Sequence, residues 1–230
     1  MMKKGKTLLA VLLMLISVVA SASVKIVPEP VEIHEYSGKF TLPSEVTISD
    51  FRDGKMVDTY IELSSKILKT KGVALKKGGK NSTVKLSISK KIKGEGEYII
   101  EVGKRDIRIQ AADEDALWCG LQTLTQLLSQ GVDRQMVIRD EPRFGYRGAM
   151  LDCCRHFFSV EDVKSFIDMM AVHKLNRFHW HLTEDQGWRI EIKKYPRLTE
   201  IGSVRESTYM TNYSGEQCDS FVDKPYGGFY

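Results

Sequence analysis

The sequence predicts a small α+β domain followed by the opening of a parallel α/β sheet, and three observations predict it. Val84, Leu86 and Ile88 alternate with Lys85, Ser87 and Ser89, the period-two pattern of a strand with one wet face. Leu117, Leu121, Leu124 and Leu128 recur at helical spacing between a helix-capping residue, Asp113, and a helix-ending one, Gly131. Beyond Pro142 a strand, a helix and a second strand follow in succession, the unit from which parallel sheets and barrels are built.

Composition bounds this reading. The chain has 230 residues, 28% charged and 42% hydrophobic, which excludes the disordered and fibrous classes and leaves room for one or two domains. The net charge of +4 is spread along the chain, and Lys76-Lys77 and Lys90-Lys91 read as solvated loops, so no nucleic-acid partner is expected.

Residues 1–22 read as a secretory signal peptide. Lys3, Lys4 and Lys6 precede an apolar run from Leu8 to Ala20, and Ala20-Ser21-Ala22 supplies small residues for cleavage. The run is short for a membrane span, and no cysteine follows the cleavage site as a lipoprotein requires. Export to a periplasm or the exterior is expected, with no membrane attachment after cleavage. Residues 23–142 are expected to form the α+β domain and 143–230 the parallel unit.

In chain order, Ile26 to Ile33 is interrupted by Pro28 and Pro30 and reads as an extended entry segment or edge strand. Thr41 to Ser49 reads as a strand. Lys55 to Lys71 reads as a helix with Met56, Tyr60, Leu63, Ile67 and Leu68 near one face and Gly72 as its stop. Strands are expected at Thr83–Ser89, Glu97–Val102 and Asp106–Gln110. The helix after Asp113 carries Gln122, Thr125 and Gln126, expected to face solvent with no catalytic role. Tyr146 to Cys153 is the first strand of the parallel unit. Ser159 caps a helix with Val163, Phe166, Ile167 and Met170 on one side, and Leu175 to Leu182 is the second strand.

Polar residues gather at the carboxyl ends of these last two strands, where parallel α/β folds form their ligand sites. The first ends in Asp152, Arg155 and His156; the second in His179, His181, Glu184 and Asp185, then Gly187 and Trp188. The planar guanidinium of Arg155 suits vicinal hydroxyls or a carboxylate, and equally an ordinary surface ion pair. His179 and His181 face one side of a strand, which fits two metal ligands with Glu184 or Asp185 as a third, and equally two packed histidines. Glu184-Asp185 makes a weak acid/base pair, because adjacent residues rarely aim at one atom. Trp188 fits a wall for a sugar ring or plain core packing. Cys119, Cys153, Cys154 and Cys218 form no dense disulfide framework and read as small buried hydrophobes, with Cys153 and Cys154 on opposite faces of a strand. The sequons Asn81-Ser82-Thr83 and Asn212-Tyr213-Ser214 carry no weight.

Tyr146-Arg147-Gly148-Ala149-Met150-Leu151-Asp152 with Arg155-His156-Phe157-Phe158, and His179-Trp180-His181-Leu182-Thr183-Glu184-Asp185-Gln186-Gly187-Trp188-Arg189, resemble glycoside hydrolase family 20. Met170-Ala171-Val172-His173-Lys174-Leu175-Asn176 resembles its helix-to-strand joint. Gly120-Leu121-Gln122-Thr123-Leu124 and Asp140-Glu141-Pro142-Arg143-Phe144 resemble the end of its N-terminal domain. The resemblance implies an α+β domain before a (β/α)8 TIM barrel. It also implies removal of terminal β-linked N-acetylglucosamine or N-acetylgalactosamine with retention. The substrate's own acetamido oxygen attacks the anomeric carbon, with an Asp orienting the acetamido group and a neighbouring Glu as general acid/base. It implies N-acetylhexosamine glycans as partners, no cofactor, and no metal at His179 and His181.

By the same resemblance, Arg155 holds the hydroxyls at carbons 3 and 4 of the terminal sugar. Glu184 stands where many members have an Asp that supports the catalytic Glu through a His, and Asp185 is structural. The catalytic Asp-Glu pair of the family lies in a His-x-Gly-Gly-Asp-Glu block that does not occur here, so no catalytic residue is expected in these 230 residues. A whole barrel takes about 250 residues, so a partial barrel is expected, inactive by itself. The alternatives are a secreted glycan-binding protein without catalysis and a metal-dependent hydrolase using His179 and His181.

Overall fold

The computed structural model describes residues 24–209 and 221–230. The expected signal peptide, Cys218 and the Asn212 sequon lie outside the described residues.

The prolines at 28 and 30 delay the first strand. β1 runs Glu32–Lys39, and the segment before it is tied to a helix by side chains: Gln126 and Gln130 exchange hydrogen bonds with the backbone of Val27 and Lys25. β2 spans Glu45–Ser49, shorter than the run beginning at Thr41 suggests. Helix α1, Lys55–Leu68, continues as a 3-10 turn to Lys71, and Gly72 ends it at φ 72, a left-handed conformation that glycine adopts without steric cost.

The buried face of α1 is Val57, Tyr60, Ser64 and Leu68, whereas Ile67 is exposed. Apolarity alone misplaces this face, because its centre is polar. The Ser64 and Thr125 hydroxyls lie 2.9 Å apart, and the Thr125 hydroxyl is 3.1 Å from that of Tyr60. Thr125 and Gln122 belong to α2, Glu114–Gln130, and both are buried, contrary to the expectation of solvent exposure. α2 is covered over more than one stripe: Thr125 lies one turn on from Leu121, and its hydroxyl meets Ser64 and Tyr60 of α1. Asp113 caps α2 by accepting from the Ala116 N–H at 2.8 Å, and Gly131 closes it at φ 72.

The strands β3 (Ala74–Gly78), β4 (Val84–Ile88), β5 (Tyr98–Val102), β6 (Ile107–Ala111) and β7 (Arg134–Asp140) complete a sheet with β1 and β2. The order is β1-β7-β5-β6-β4-β2-β3. β1, β7, β5 and β6 pair antiparallel, and β6, β4, β2 and β3 pair parallel. β3 and β7 escape a hydrophobicity reading for different reasons. β3 is an edge strand that buries only Leu75, and β7 buries Met136, Ile138 and the charged Asp140 in alternation. α2 lies so close on the sheet that a Cβ at Gly120 would come 2.8 Å from Ile109 Cγ2 and 3.2 Å from Tyr98 Cδ2.

After Pro142 the chain builds β8 (Gly148–Asp152), α3 (Val160–Val172) and β9 (Arg177–His181). β8 and β9 pair in parallel from Gly148↔Arg177 to Asp152↔His181, as the strand-helix-strand pattern predicts. Ser159 and Asp162 form a reciprocal capping box at the start of α3. α3 buries Val163 and Met170, and Phe166 packs 5.7 Å from Phe178; Ile167 is exposed rather than on the packed side. The joint after α3 carries Lys174 at φ 61, which turns its side chain onto the first unit. There Nζ donates to Tyr98 Oη at 2.8 Å and to Asp140 Oδ2 at 3.3 Å, in a buried network that Thr123 joins through Tyr98.

Short pieces follow: the hairpin β10 (Thr183–Glu184) and β11 (Gly187–Trp188), α4 (Arg197–Glu200), β12 (Val204–Arg205) with β15 (Tyr226–Gly227), and β13 (Thr208–Tyr209) with β14 (Phe221–Val222). Among the described residues, no helix is long and apolar enough to cross a membrane.

Candidate functional site

β8 and β9 end side by side, so the residues just past them share one rim. β8 delivers Asp152, whose carboxylate organises the turn that follows. Oδ1 accepts from the backbone N–H groups of Cys154 and Arg155, each at 3.1 Å, and Oδ2 accepts from Arg155 Nη1. Burial raises the Asp152 carboxyl, but the Arg155 N–H and guanidinium outweigh it and hold the group below its ordinary value. Arg155 turns its other nitrogen to the β10 end of the neighbouring segment, where Nη2 lies 2.8 Å from Glu184 Oε2. The guanidinium is thus fixed between two carboxylates, which push its proton affinity further up, Asp152 more than Glu184. Its side chain remains half exposed, so the N–H groups not spent on carboxylates face outward.

Arg155 and Glu184, expected at the carboxyl ends of neighbouring strands, stand on one rim and touch. Asp185 sits in the exposed turn between β10 and β11, away from this contact. Glu184 and Asp185 line, with Trp188, Tyr195 and Ile201, an open cleft of about 750 Å³. Trp188 stands half-buried in its wall and donates its Nε1–H to the Ile190 carbonyl at 2.8 Å. His181 points to Asp152, with Nδ1 3.3 Å from Oδ1. His179 is exposed, its ring centroid 6.0 Å from that of His181. The two histidines share a side of β9, but only His181 reaches a carboxylate of the rim. His156 is half-buried edge-on to Tyr226, at 6.2 Å between centroids.

β8 ends at Asp152, so Cys153 and Cys154 stand in the turn rather than on the strand; both are buried free thiols. Cys153 Sγ accepts from Trp180 Nε1 at 3.2 Å. Cys154 packs against Asp152 and His181, and burial, with help from the nearby carboxylates, pushes its thiol up to about 11.

Two arginines that residue-by-residue reading passed over hold this rim in place. Arg189 is 1% exposed, and its guanidinium donates to backbone carbonyls, Nε to Cys153 at 2.9 Å, Nη2 to Cys154 at 2.7 Å, and Nη1 to Ser203 and, at 3.2 Å, Gly228, while lying 5.8 Å from the Phe157 ring centroid. Burial lowers its proton affinity. Arg205 spans the two strand ends, donating to the Arg155 carbonyl at 2.5 Å and the Gln186 carbonyl at 3.2 Å. Neither position lies in a periodic pattern, and their partners are carbonyls, which every residue has. Gly187 itself must lack a Cβ, which would stand 2.5 Å from Arg189 Nη2 and 2.7 Å from the Cys154 carbonyl.

Comparison with known proteins gives a consistent picture. Residues 23–141 match the family described as "Glycosyl hydrolase family 20, domain 2", and residues 144–230 match "Glycosyl hydrolase family 20, catalytic domain". A beta-hexosaminidase of Porphyromonas gingivalis is 39% identical over 208 residues, 84% of this chain and 27% of that protein. A beta-hexosaminidase of Vibrio furnissii is 44% identical over 140 residues, 59% of this chain and 22% of that protein. The chain therefore spans about a quarter of the length of these relatives. Among solved structures, a GH20 exo beta-N-acetylglucosaminidase from Vibrio harveyi, in complex with N-acetylglucosamine, superposes with a TM-score of 0.73. It is 32% identical and covers 89% of this chain and 32% of that one. A beta-N-acetylhexosaminidase from Bacteroides fragilis gives a TM-score of 0.64 at 33% identity, over 77% and 37% of the two chains.

Proposed function

The chain belongs to glycoside hydrolase family 20, and from that premise we propose that it supplies the sugar-gripping rim of an exported β-N-acetylhexosaminidase. In this reading β8, α3 and β9 open a (β/α)8 barrel behind the seven-stranded α+β domain. The complete enzyme removes terminal β-linked N-acetylglucosamine or N-acetylgalactosamine from glycans with retention, the substrate's acetamido oxygen acting as nucleophile. The apolar run from Leu8 to Ala20 takes it out of the cytoplasm, and no nucleic acid or membrane is a partner.

The observation that carries the reading is the fixed guanidinium of Arg155, bridged to Asp152 and 2.8 Å from Glu184. Two of its five N–H groups are spent on carboxylates. The remaining donors form a planar fork whose direction is set before any sugar arrives, so little side-chain entropy is lost when vicinal hydroxyls bind. Glu184 acts by holding that fork, and Asp185 shapes the turn. Trp188 and the cleft beside it offer an apolar wall to a pyranose ring.

The test is hydrolysis of a chromogenic N-acetyl-β-glucosaminide by a polypeptide that carries these residues at the full length of the matched hexosaminidases. Charge-assisted hydrogen bonds contribute about 1.5–3 kcal/mol each. Arg155→Ala should therefore lower kcat/KM by about a hundredfold, and Glu184→Gln by less, since Asp152 keeps its hold on the fork and the amide oxygen can still accept from it. An Arg155→Ala enzyme as active as the parent would remove the basis of the proposal.

A further inference from the structure

Beside Arg155 lies a group of side chains of which the sugar-binding reading uses only Asp152. Asp152, Cys154 and His181 each point a potential ligand atom inward, and these atoms all lie within 4.8 Å of one another. His181 Nδ1 is 3.3 Å from Asp152 Oδ1. Two light ligands about 2.1 Å from one tetrahedral ion stand about 3.4 Å apart, so this pair already has the separation that a shared ion requires. The Cys154 sulfur has only a short way to move to become a third ligand.

We propose that Asp152, Cys154 and His181 form a binding site for a divalent cation of the zinc class. One thiolate, one imidazole and one carboxylate are the donor set of tetrahedral zinc and cobalt sites, and a sulfur ligand disfavours magnesium and calcium. The Cys154 proton is released to solvent as the metal–sulfur bond forms. The two oxygens of Asp152 differ: Oδ1 faces His181 while accepting the Cys154 and Arg155 N–H groups at 3.1 Å, and Oδ2 stays with Arg155. The fourth position is open to water. The set differs from the His179–His181 pair that strand spacing suggests, since His179 is not a member. The proposal does not depend on hexosaminidase activity.

The experiment is titration of the purified chain with cobalt(II), followed by the cobalt–thiolate charge-transfer absorption and by equilibrium dialysis with zinc. One ion per chain is expected, with that absorption present. Losing a supporting residue of a metal site typically weakens it tenfold or more. Cys154→Ser and His181→Gln, each removing a ligand, should weaken binding at least about tenfold, and Cys154→Ser should abolish the absorption. Cys153→Ser and His179→Ala are the controls that should bind as the parent does. Absence of the absorption in the parent, or unchanged affinity in either ligand variant, overturns the site.

Discussion

At the scale of single residues, the rim is held by charges whose partners differ in kind. Arg155 is set by two carboxylates and left half exposed, whereas Arg189 is sealed off and set by four carbonyls. A buried guanidinium is tolerable only when its donors are satisfied, and those carbonyls are tolerable only while it is there. Arg189→Met should therefore destabilise the chain by about 3 kcal/mol or more, since it orphans several buried acceptors at once. Arg189→Lys should cost less, because an ammonium reaches some but not all of them. Urea unfolding of the two variants against the parent measures this, and equal midpoints for all three would show that Arg189 has no such role. The place of Arg155 among polar residues at a strand end was legible in the sequence, but its pairing with Asp152 and Glu184 was not. The carbonyl-bound Arg189 was not, because backbone acceptors leave no mark in a sequence.

At the scale of elements, caps and stops were read correctly, and faces less so. Asp113, Gly131, Ser159 and Gly72 all act as expected, since a cap depends on a few neighbouring residues. The face of α1 was misjudged because a hydroxyl cluster of Tyr60, Ser64 and Thr125 sits where apolar residues were sought. β3 and β7 were missed because an edge strand and a strand ending in a buried acid lack a clean alternation. One close joint between elements is that of α2 with the sheet at Gly120. Gly120→Ala gains helix propensity of up to about 1 kcal/mol, but its methyl would collide with Ile109 and Tyr98, and overpacking costs about 1–3 kcal/mol. The clash wins because the nearest contact is to a β-branched core residue that has little room to yield. A net loss of about 1 kcal/mol is expected by thermal unfolding, whereas a rise in Tm would mean that the sheet gives way there.

At the scale of the whole molecule, two buried tyrosines give stability an alkaline limit. Burial raises Tyr60 from 10.0 to about 12, and burial with the Asp140 charge raises Tyr98 further still. A phenol whose folded value is raised keeps its proton while the unfolded chain loses it. Stability is then full below pH 10 and is lost as pH climbs towards 12. Tyr60 alone accounts for about 3 kcal/mol of that loss. Lys174 works in the opposite sense: burial lowers its value from 10.5, so its contribution rises with pH and is complete at the ordinary lysine value. Between pH 10.5 and 12 the tyrosines therefore act without that offset. Unfolding free energies across this interval should fall for the parent, and Tyr60→Phe should fall by about 1.5 kcal/mol less, since part of the Tyr60 loss lies below pH 10.5 and part above pH 12; parallel curves would contradict the assignment.

The sequence by itself determined most helices with their ends, the parallel strand pair, and the gathering of Arg155 and Glu184 at neighbouring strand ends. Each rests on local periodicity, on a capping residue, or on the fact that adjacent parallel strands finish together. Only the tertiary structure decided which polar residues are sheltered. It put Gln122 and Thr125 in the interior, gave Arg189 its ring of carbonyls, joined Lys174 to Asp140 and Tyr98 across the two units, and drew Cys154 into contact with His181 rather than His179. Those outcomes depend on what lies opposite each side chain, and the opposing groups come from segments far away along the chain, whose approach no local pattern encodes.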